Sequence, residues 1–403
     1  MMKLENDLGY GSIKANVAGE RVKFPSVVAE QREQDIMAPV EFTDKASEDQ
    51  YMADFLNRMD VTVSSSAVNQ QGRFLIGEAA IKSGLPLTTF DINALTGKAD
   101  SDLALIFTLS LIAGKAVKEA YKAGNDLSDP ISVEVPLVTA LPVQEGKKKG
   151  VKDQYKARYL DTSHQVTFHN FTDPVTVTIK FSQVSVANEG ETAAVFIASN
   201  QNKKLTSGLK ADFDKHFPDQ KDDVTATDLI SSQNKIILDI GGGTVDIIVI
   251  AGGRAVAAAS ASMNEGYDNA LDEAVEYLKE QQYNFNDRTQ LKEFLAQKVT
   301  GLSRKRHERV EEMVYKQVQP FSKRIVENVS KAAGKLSSGI EEVIAVGGGS
   351  IPMEEHSDLR ERLVNKLKEF NGGDVIPVIF APAEFAQTLN LDGLEYIQEH
   401  LTK

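Results

Sequence analysis

The chain has no cysteine and no tryptophan among its 403 residues. Without cysteine there is no disulfide framework, no thiolate metal site, no iron–sulfur ligation and no cysteine nucleophile. The absence fits a reducing compartment. Long apolar runs are missing too. The two strongest, 103–114 and 236–250, are each interrupted by polar residues or glycine, and neither reaches the ~18 consecutive apolar residues of a spanning helix. Residues 1–14 lack the apolar core of a secretory signal, and 389–403 mixes charges without a basic amphipathic face. A soluble, cytoplasmic protein with no membrane partner is expected. Cations are the minority, with 45 Lys plus Arg against 58 Asp plus Glu and a formal net charge of −13. Direct binding to nucleic acid needs a basic footprint and is not expected, although an adaptor could make that contact instead. The six histidines show no metal-ligand spacing.

What is present is globular material, 41% hydrophobic and 26% charged, which excludes wholesale disorder. At ~100–200 residues per domain, two or three domains fit the length. An internal repeat sharpens that count. Asp7-Leu-Gly-Tyr-Gly-Ser-Ile13 and Asp239-Ile-Gly-Gly-Gly-Thr-Val245 share the order Asp, aliphatic, Gly, any residue, Gly, hydroxyl, β-branched aliphatic. Both continue into apolar or alternating residues and reach a second small turn. Each copy therefore reads as strand, glycine turn, strand.

The remainder is consistent with α/β. Strands are expected over 21–28, 73–77, 131–138 and 343–346, with two more within 166–186 around the turn 172–174. Helices are expected over 104–123, 147–159, 269–282, 287–299, 304–336 and 359–370, with Pro320 bending or interrupting the fifth. Residues 35–61 and 206–224 are polar and read as peripheral insertions.

The chemistry of the turns follows from glycine. A turn whose N–H groups point inward is an anion nest, and glycine lets a phosphate approach without a Cβ in the way. Ser12 and Thr244 add hydroxyls, and Lys14 adds a cation to one copy only. Asp7 and Asp239, at the strand-to-turn junctions, suit a hydrated Mg²⁺, which takes few protein ligands. Each turn alone reads better as a tight hairpin with Asp in a turn-forming position; the pairing, with Lys14 on one copy only, points to a phosphate clamp. A third turn, Val346-Gly-Gly-Gly-Ser350, follows a strand and precedes a helix, the layout of a nucleotide-facing loop. It has neither Rossmann nor Walker A spacing. Two basic clusters, 147–158 and Arg304-Lys-Arg306 with Arg309, read as solvated helix faces, the second also as a contact with ribose or a neighbouring subunit.

These residues carry a resemblance. Asp7, Gly9 and Lys14 look like the first phosphate loop of the actin, heat-shock chaperone and sugar kinase superfamily. Asp239–Asp246 resembles its second phosphate loop, and Val346–Ser350 its adenosine loop. The chain looks most like the ParM branch, bacterial actin-like proteins that segregate plasmids. Four segments carry that likeness: Phe24-Pro25-Ser26, Phe74-Leu-Ile-Gly-Glu-Ala79, Val186-Ala-Asn-Glu-Gly190 and Asn390-Leu-Asp-Gly-Leu-Glu-Tyr396. Two features depart from the family. Glu5 and Asn6 sit in a first strand that is usually apolar, and Ala187-Asn188 replaces the usual Pro before Glu189.

The resemblance implies an α/β fold of two related actin-like (ribonuclease H-like) domains flanking a nucleotide cleft. Each would have a mixed five-stranded-type sheet plus peripheral insertions. Domain I would be 1–188 plus 375–403, with an insertion at about 30–72; domain II would be 189–374, with an insertion at about 267–340. It further implies a polymerising ATPase using ATP, with GTP as the alternative nucleotide, and Mg²⁺. Gly9, Tyr10, Gly11, Ser12, Lys14, Gly241, Gly242, Gly243 and Thr244 would bind phosphate. Gly347, Gly348, Gly349 and Ser350 would face adenosine. Asp7 and Asp239 would hold Mg²⁺ through water, and Glu189 with Asp239 would be catalytic, Glu189 acting on the attacking water. The implied partners are the chain itself, as a filament, and a ParR-like DNA-binding adaptor on a centromere-like site. A small-molecule kinase of the same fold, or a non-polymerising nucleotide-binding scaffold, are the alternatives.

Overall fold

The computed structural model describes residues 2–92, 94, 96–336 and 339–401. Its chain forms two units. The first comprises residues 2–141, 145–188 and 394–401 of those described, the second 142–144 and 189–393.

The first unit is built on one ten-stranded sheet. Its strands in chain order are β1 Leu4–Leu8, β2 Ser12–Val17, β3 Glu20–Pro25, β4 Val27–Glu30, β5 Asp60–Ser64, β6 Arg73–Ile76, β7 Thr88–Thr89, β8 Ile131–Leu141, β9 His164–Phe168 and β10 Val175–Asn188. Their order across the sheet is β3-β2-β1-β8-β10-β9-β5-β6-β4-β7. The second unit carries β11 Lys235–Ile240, β12 Val245–Ala251, β13 Arg254–Ala255, β14 Ala261–Met263, β15 Glu342–Val346 and β16 Val378–Phe380. These run β13-β12-β11-β15-β16, with β14 also paired to β12.

The repeat seen in the sequence is a repeat of topology. In β3-β2-β1-β8-β10 the first two pairings are antiparallel and the next two parallel. The set β13-β12-β11-β15-β16 has the same pattern. Each unit therefore contains the mixed five-stranded sheet that the resemblance implies. In the first unit five more strands extend it, and β5 and β6, from and beside the expected insertion at 30–72, are part of that extension.

Burial explains the strand compositions. Ile236, Leu238 and Ile240 of β11 face one apolar layer with the helices Tyr267–Glu280, Arg304–Ala333 and Leu359–Leu367. Ile237 faces the other, with the helices Glu191–Ser199 and Lys203–His216. A strand covered on both faces reads as a continuous apolar run rather than an alternation. In the first unit β1 is buried throughout, yet holds Glu5 and Asn6. The Asn6 amide donates to Thr108 Oγ1 at 2.9 Å, and Thr139 Oγ1 donates to the Asn6 carbonyl at 2.9 Å. Thr108 belongs to the helix Asp102–Lys122, whose amino end is capped by Ser101.

Three segments differ from the sequence reading. Residues 206–224 are not a peripheral insertion throughout: Leu205, Leu209 and Phe213 form the buried stripe of the helix Lys203–His216. Their i, i+4 spacing is that of an amphipathic helix. The helix Arg304–Ala333 runs through Pro320 without interruption. Residues 378–380 pair in parallel with β15, so residues 375–393 fall in the second unit rather than with 394–401. No helix among the described residues is long and apolar enough to cross a membrane.

Candidate functional site

In the first unit Asp7, in β1, faces Lys14 of β2 in antiparallel register. Lys14 Nζ donates to Asp7 Oδ2 at 3.1 Å. Gly9, Tyr10 and Gly11 turn the chain between them. A Cβ at Gly9 would lie 2.5 Å from the Ser12 carbonyl oxygen, so the turn closes only around glycine. Ser26 fastens it: its hydroxyl donates to Gly9 O at 2.5 Å and its N–H to Gly11 O at 3.4 Å. That explains the break between β3 and β4, where Ser26 leaves the ladder to hold the turn.

Tyr10 was expected to meet phosphate through its backbone N–H, and its side chain packs within the first unit. The ring meets Phe90 edge-on at 6.0 Å between centroids, and the Lys98 ammonium lies 4.2 Å from its centroid. Lys98 is fully buried, and the Glu145 carboxylate accepts the N–H groups of Lys98 and Ala99 at 3.0 Å each. The Tyr10 ring thus anchors the turn through Phe90 and Lys98.

In the second unit Asp239 of β11 stands where Asp7 stands in the first, and Asp246 of β12 takes the register position of Lys14. The repeat is therefore asymmetric in charge. Asp246 accepts from the Thr244 hydroxyl and from Val143 N–H at 3.3 Å each, and from the Ser262 hydroxyl. The Thr244 hydroxyl is directed to Asp246, while Gly241 N–H closes the turn on Thr244 O at 2.9 Å. The carbonyls of Gly241 and Gly242 accept from Tyr267 and Asp268 N–H at 3.0 and 2.9 Å, which binds the turn to the next helix.

The third turn lies against Asp239. Gly347 has φ +87°, and a Cβ there would sit 2.3 Å from Asp239 Oδ1. Gly349 N–H donates to Ile240 O at 2.7 Å. Gly347 and Gly348 are half-buried, whereas Gly349 and Ser350 are buried, the Ser350 hydroxyl donating to Gly347 O at 2.8 Å. Glu189, also buried, precedes Gly190, the N-cap of the helix Glu191–Ser199.

Asn390, quoted for the resemblance but given no role there, joins these pieces. Its amide donates to Asp239 Oδ2 at 2.7 Å, and its oxygen accepts from Gly190 N–H and the Thr192 hydroxyl at 2.9 Å each. The second unit thus gathers Glu189, Asp239, Gly241–Thr244 and Gly347–Ser350. The first holds Asp7, Gly9–Ser12 and Lys14. Lys98, Ser26 and Asn390 could not be given roles from sequence, since each acts through a partner distant along the chain.

The fit to a divalent cation rests on donor chemistry. Asp7 and Asp239 are buried carboxylates near the carboxyl ends of homologous strands, and oxygen donors of this kind suit Mg²⁺ with its retained waters. Another trio, Asp212, His216 and Glu354, has ligand atoms within 4.8 Å of one another. Arg360 occupies it, pairing with both Asp212 oxygens at 2.7 and 2.9 Å and with Glu354 at 3.1 Å, so it is an ion-pair cluster.

Residues 6–191 match a sequence family described as the N-terminal domain of actin-like proteins. Residues 237–359 match one described as the C-terminal part of the archaeal actin homologue MreB-like. No curated protein sequence matches the chain. Among solved structures, the actin-like protein Alp7A is similar with a TM-score of 0.66 at 17% identity, over 99% of this chain and 98% of that one. The Bacillus thuringiensis ParM with ADP has a TM-score of 0.60 at 15% identity, over 100% and 99%. An archaeal actin homologue in complex with ADP has a TM-score of 0.59 at 16% identity, over 99% and 100%. At these identities the likeness is one of fold.

Proposed function

Because residues 6–191 and 237–359 match actin-like sequence families and the fold is that of actin-like proteins, we propose that this chain is a nucleotide-dependent, filament-forming ATPase of the ParM kind. The observation that carries the reading is the repeated Asp-Gly hairpin, Asp7–Lys14 and Asp239–Asp246 in matching register, with a third glycine turn seated on the second aspartate. ADP in the Bacillus thuringiensis ParM and in the archaeal homologue, and AMPPNP in the former, support ATP as the ligand class here, with GTP as the alternative.

Phosphoryl transfer asks a protein for positioning and charge stabilisation. The backbone N–H groups of the turns Gly9–Ser12 and Gly241–Thr244 would donate to phosphate oxygens, except those of Gly9 and Gly241, which close their own turns on Asp7 O and Thr244 O at 3.1 and 2.9 Å. Lys14 adds a point charge to the first turn. Gly347–Ser350 would meet the adenosine through Gly347 and Gly348. Asp7 and Asp239 would hold Mg²⁺ through water, and the ion supplies neutralisation of charge on the phosphate oxygens. Glu189 orients the attacking water, and Asn390 keeps Asp239 and the Glu189–Gly190 turn in one geometry. Free phosphate is the product, not a phosphorylated acceptor. A ParR-like DNA-binding adaptor would link the filament to plasmid DNA, and the net negative charge of the chain fits that division of labour.

Right-angle light scattering and negative-stain microscopy with Mg²⁺ and either ATP or GTP test this reading. Filaments with one nucleotide, and phosphate release in step with assembly, are the expected result. No assembly across nucleotides and salt concentrations overturns it.

A further inference from the structure

The stretch Ile36-Met-Ala-Pro-Val40 of the first unit has no regular secondary structure and is exposed at every position. Met37 is 71% exposed, Ile36 45% and Val40 36%. Met37 packs little against the chain, and Ile36 and Val40 leave a third to nearly half of their surface uncovered, an apolar exposure that folding does not call for. The stretch is nevertheless held. Val40 N–H donates to Asn170 O at 2.9 Å, and the neighbouring Phe42 ring packs on Tyr51 at 5.3 Å between centroids. Carboxylates surround it in sequence: Glu33 and Asp35 before, Glu41, Asp44, Glu48 and Asp49 after. The cations of the same stretch are internally paired, Arg32 with Asp35 at 2.8 Å and Lys45 with Glu48 at 3.2 Å. The surface is apolar and acidic.

The second unit carries the converse. Leu302 is fully exposed at 104%, immediately before the helix Arg304–Ala333. Arg304, Lys305, Arg306 and Arg309 follow, all exposed. The first turn of that helix has no acidic residue. The amino end of a helix is its positive pole, where cations are disfavoured. Arg304 pairs with Glu308 at 2.6 Å and Arg306 lies 5.7 Å from the Phe294 ring centroid, which leaves Lys305 and Arg309 as the remaining exposed cations beside Leu302.

We propose that these two surfaces bind each other between copies of the chain: the basic Leu302 tip of one copy docks on the acidic Ile36–Val40 segment of the next. The proposal rests on the filament reading above and names the contact within it. Neither surface complements itself, because acidic meets acidic or basic meets basic. Made once per copy, the contact is heterologous, and such contacts build open assemblies when the rotation does not close. Its charged part weakens with salt.

The absence of native cysteine makes the test clean. Met37→Cys and Leu302→Cys are placed in separate chains, mixed, and oxidised with copper phenanthroline, with the unsubstituted chain assayed for ATP-dependent sedimentation in parallel. The expected result is a disulfide-linked dimer in the mixture, at least tenfold above either chain alone and reduced by high salt. A disulfide without sedimentation keeps the contact and removes the filament reading. Sedimentation without the mixed disulfide, or with same-residue disulfides dominating, overturns the contact and keeps the filament reading. If neither forms, both fall. As a second arm, Lys305→Glu with Arg309→Glu should raise the critical concentration at least tenfold while thermal melting is unchanged, and Glu33→Lys with Glu41→Lys in the mixed partner should restore co-assembly. An unaltered critical concentration counts against the contact.

Discussion

The side-chain amide of Asn390 donates to Asp239 Oδ2 at 2.7 Å, while its oxygen accepts from Gly190 N–H and the Thr192 hydroxyl at 2.9 Å each. One side chain near the end of the chain thereby links the strand bearing the second Asp-Gly turn to the turn bearing Glu189. Replacing it with alanine removes three hydrogen bonds, one of them to a carboxylate. At ~1 kcal/mol net per bond and more for the charged one, Asn390→Ala should cost about 2–4 kcal/mol. Phosphate release should fall on the order of tenfold or more, because Asp239 and Glu189 lose their common anchor. Chemical denaturation and a phosphate-release assay measure the two effects; unchanged turnover in a destabilised variant would reduce Asn390 to a structural role.

Gly347 combines φ +87° with a position where a Cβ would lie 2.3 Å from Asp239 Oδ1. The left-handed backbone alone costs a non-glycine residue about 1–2 kcal/mol, and the contact forces either the loop or Asp239 to move. Gly347→Ala should weaken binding of a fluorescent ATP analogue at least tenfold. Gly334→Ala, just past the helix Arg304–Ala333 and with its Cβ at an ordinary 3.4 Å from the Phe370 ring, should bind within about twofold of the parent on the same steric argument. Equal affinities for the two variants contradict the placement of the third turn on the site.

Glu189→Gln keeps the shape of the side chain and removes its carboxylate. If Glu189 positions or deprotonates water, hydrolysis should fall roughly 10²-fold or more, with ATP binding and assembly retained, so that filaments persist after the parent's have decayed. Phosphate release and light scattering followed on one sample separate the two. Hydrolysis at the parent rate would move the role to another residue.

Glu5 has a distinct pH signature. Burial, reinforced by the neighbouring Glu395, pushes its carboxyl up to about 7, against ~4.3 for a free glutamate. The folded state therefore holds the proton more tightly than the unfolded chain. The stabilisation this brings is complete below the unfolded value and is lost as pH rises through about 7. Glutamine mimics the neutral form. Glu5→Gln should match the parent near or below about pH 4 and exceed it at pH 8, by up to about 3 kcal/mol. Buried Glu342, raised to about 7 by desolvation, adds to the parent's slope in the same direction. Thermal melts across that range decide it, and a Glu5→Gln curve parallel to the parent's refutes the assignment.

The glycine turns were legible because their chemistry is local. Asp at the strand end, glycines in the turn and a hydroxyl after them are demanded by the hairpin itself, and the antiparallel registers Asp7 to Lys14 and Asp239 to Asp246 follow from that spacing. The helix Lys203–His216 was obscured by its polar composition, although Leu205, Leu209 and Phe213 carried the period. The place of β16 was hidden because three residues hold too little pattern to name their partner strand.

By itself, then, the sequence determined the repeated Asp-Gly hairpins, the mixed α/β class, the absence of thiol chemistry and the excess of negative charge. Each depends on residue types and short spacings. Only the tertiary structure decided that Gly347 rests on Asp239, that Asn390 joins Asp239 to Gly190, and that the Tyr10 ring turns away to Phe90 and Lys98. Those contacts join residues far apart along the chain. They exist because strands covered on both faces by apolar side chains can pack in one register only, and that packing sets where the polar groups at their ends meet.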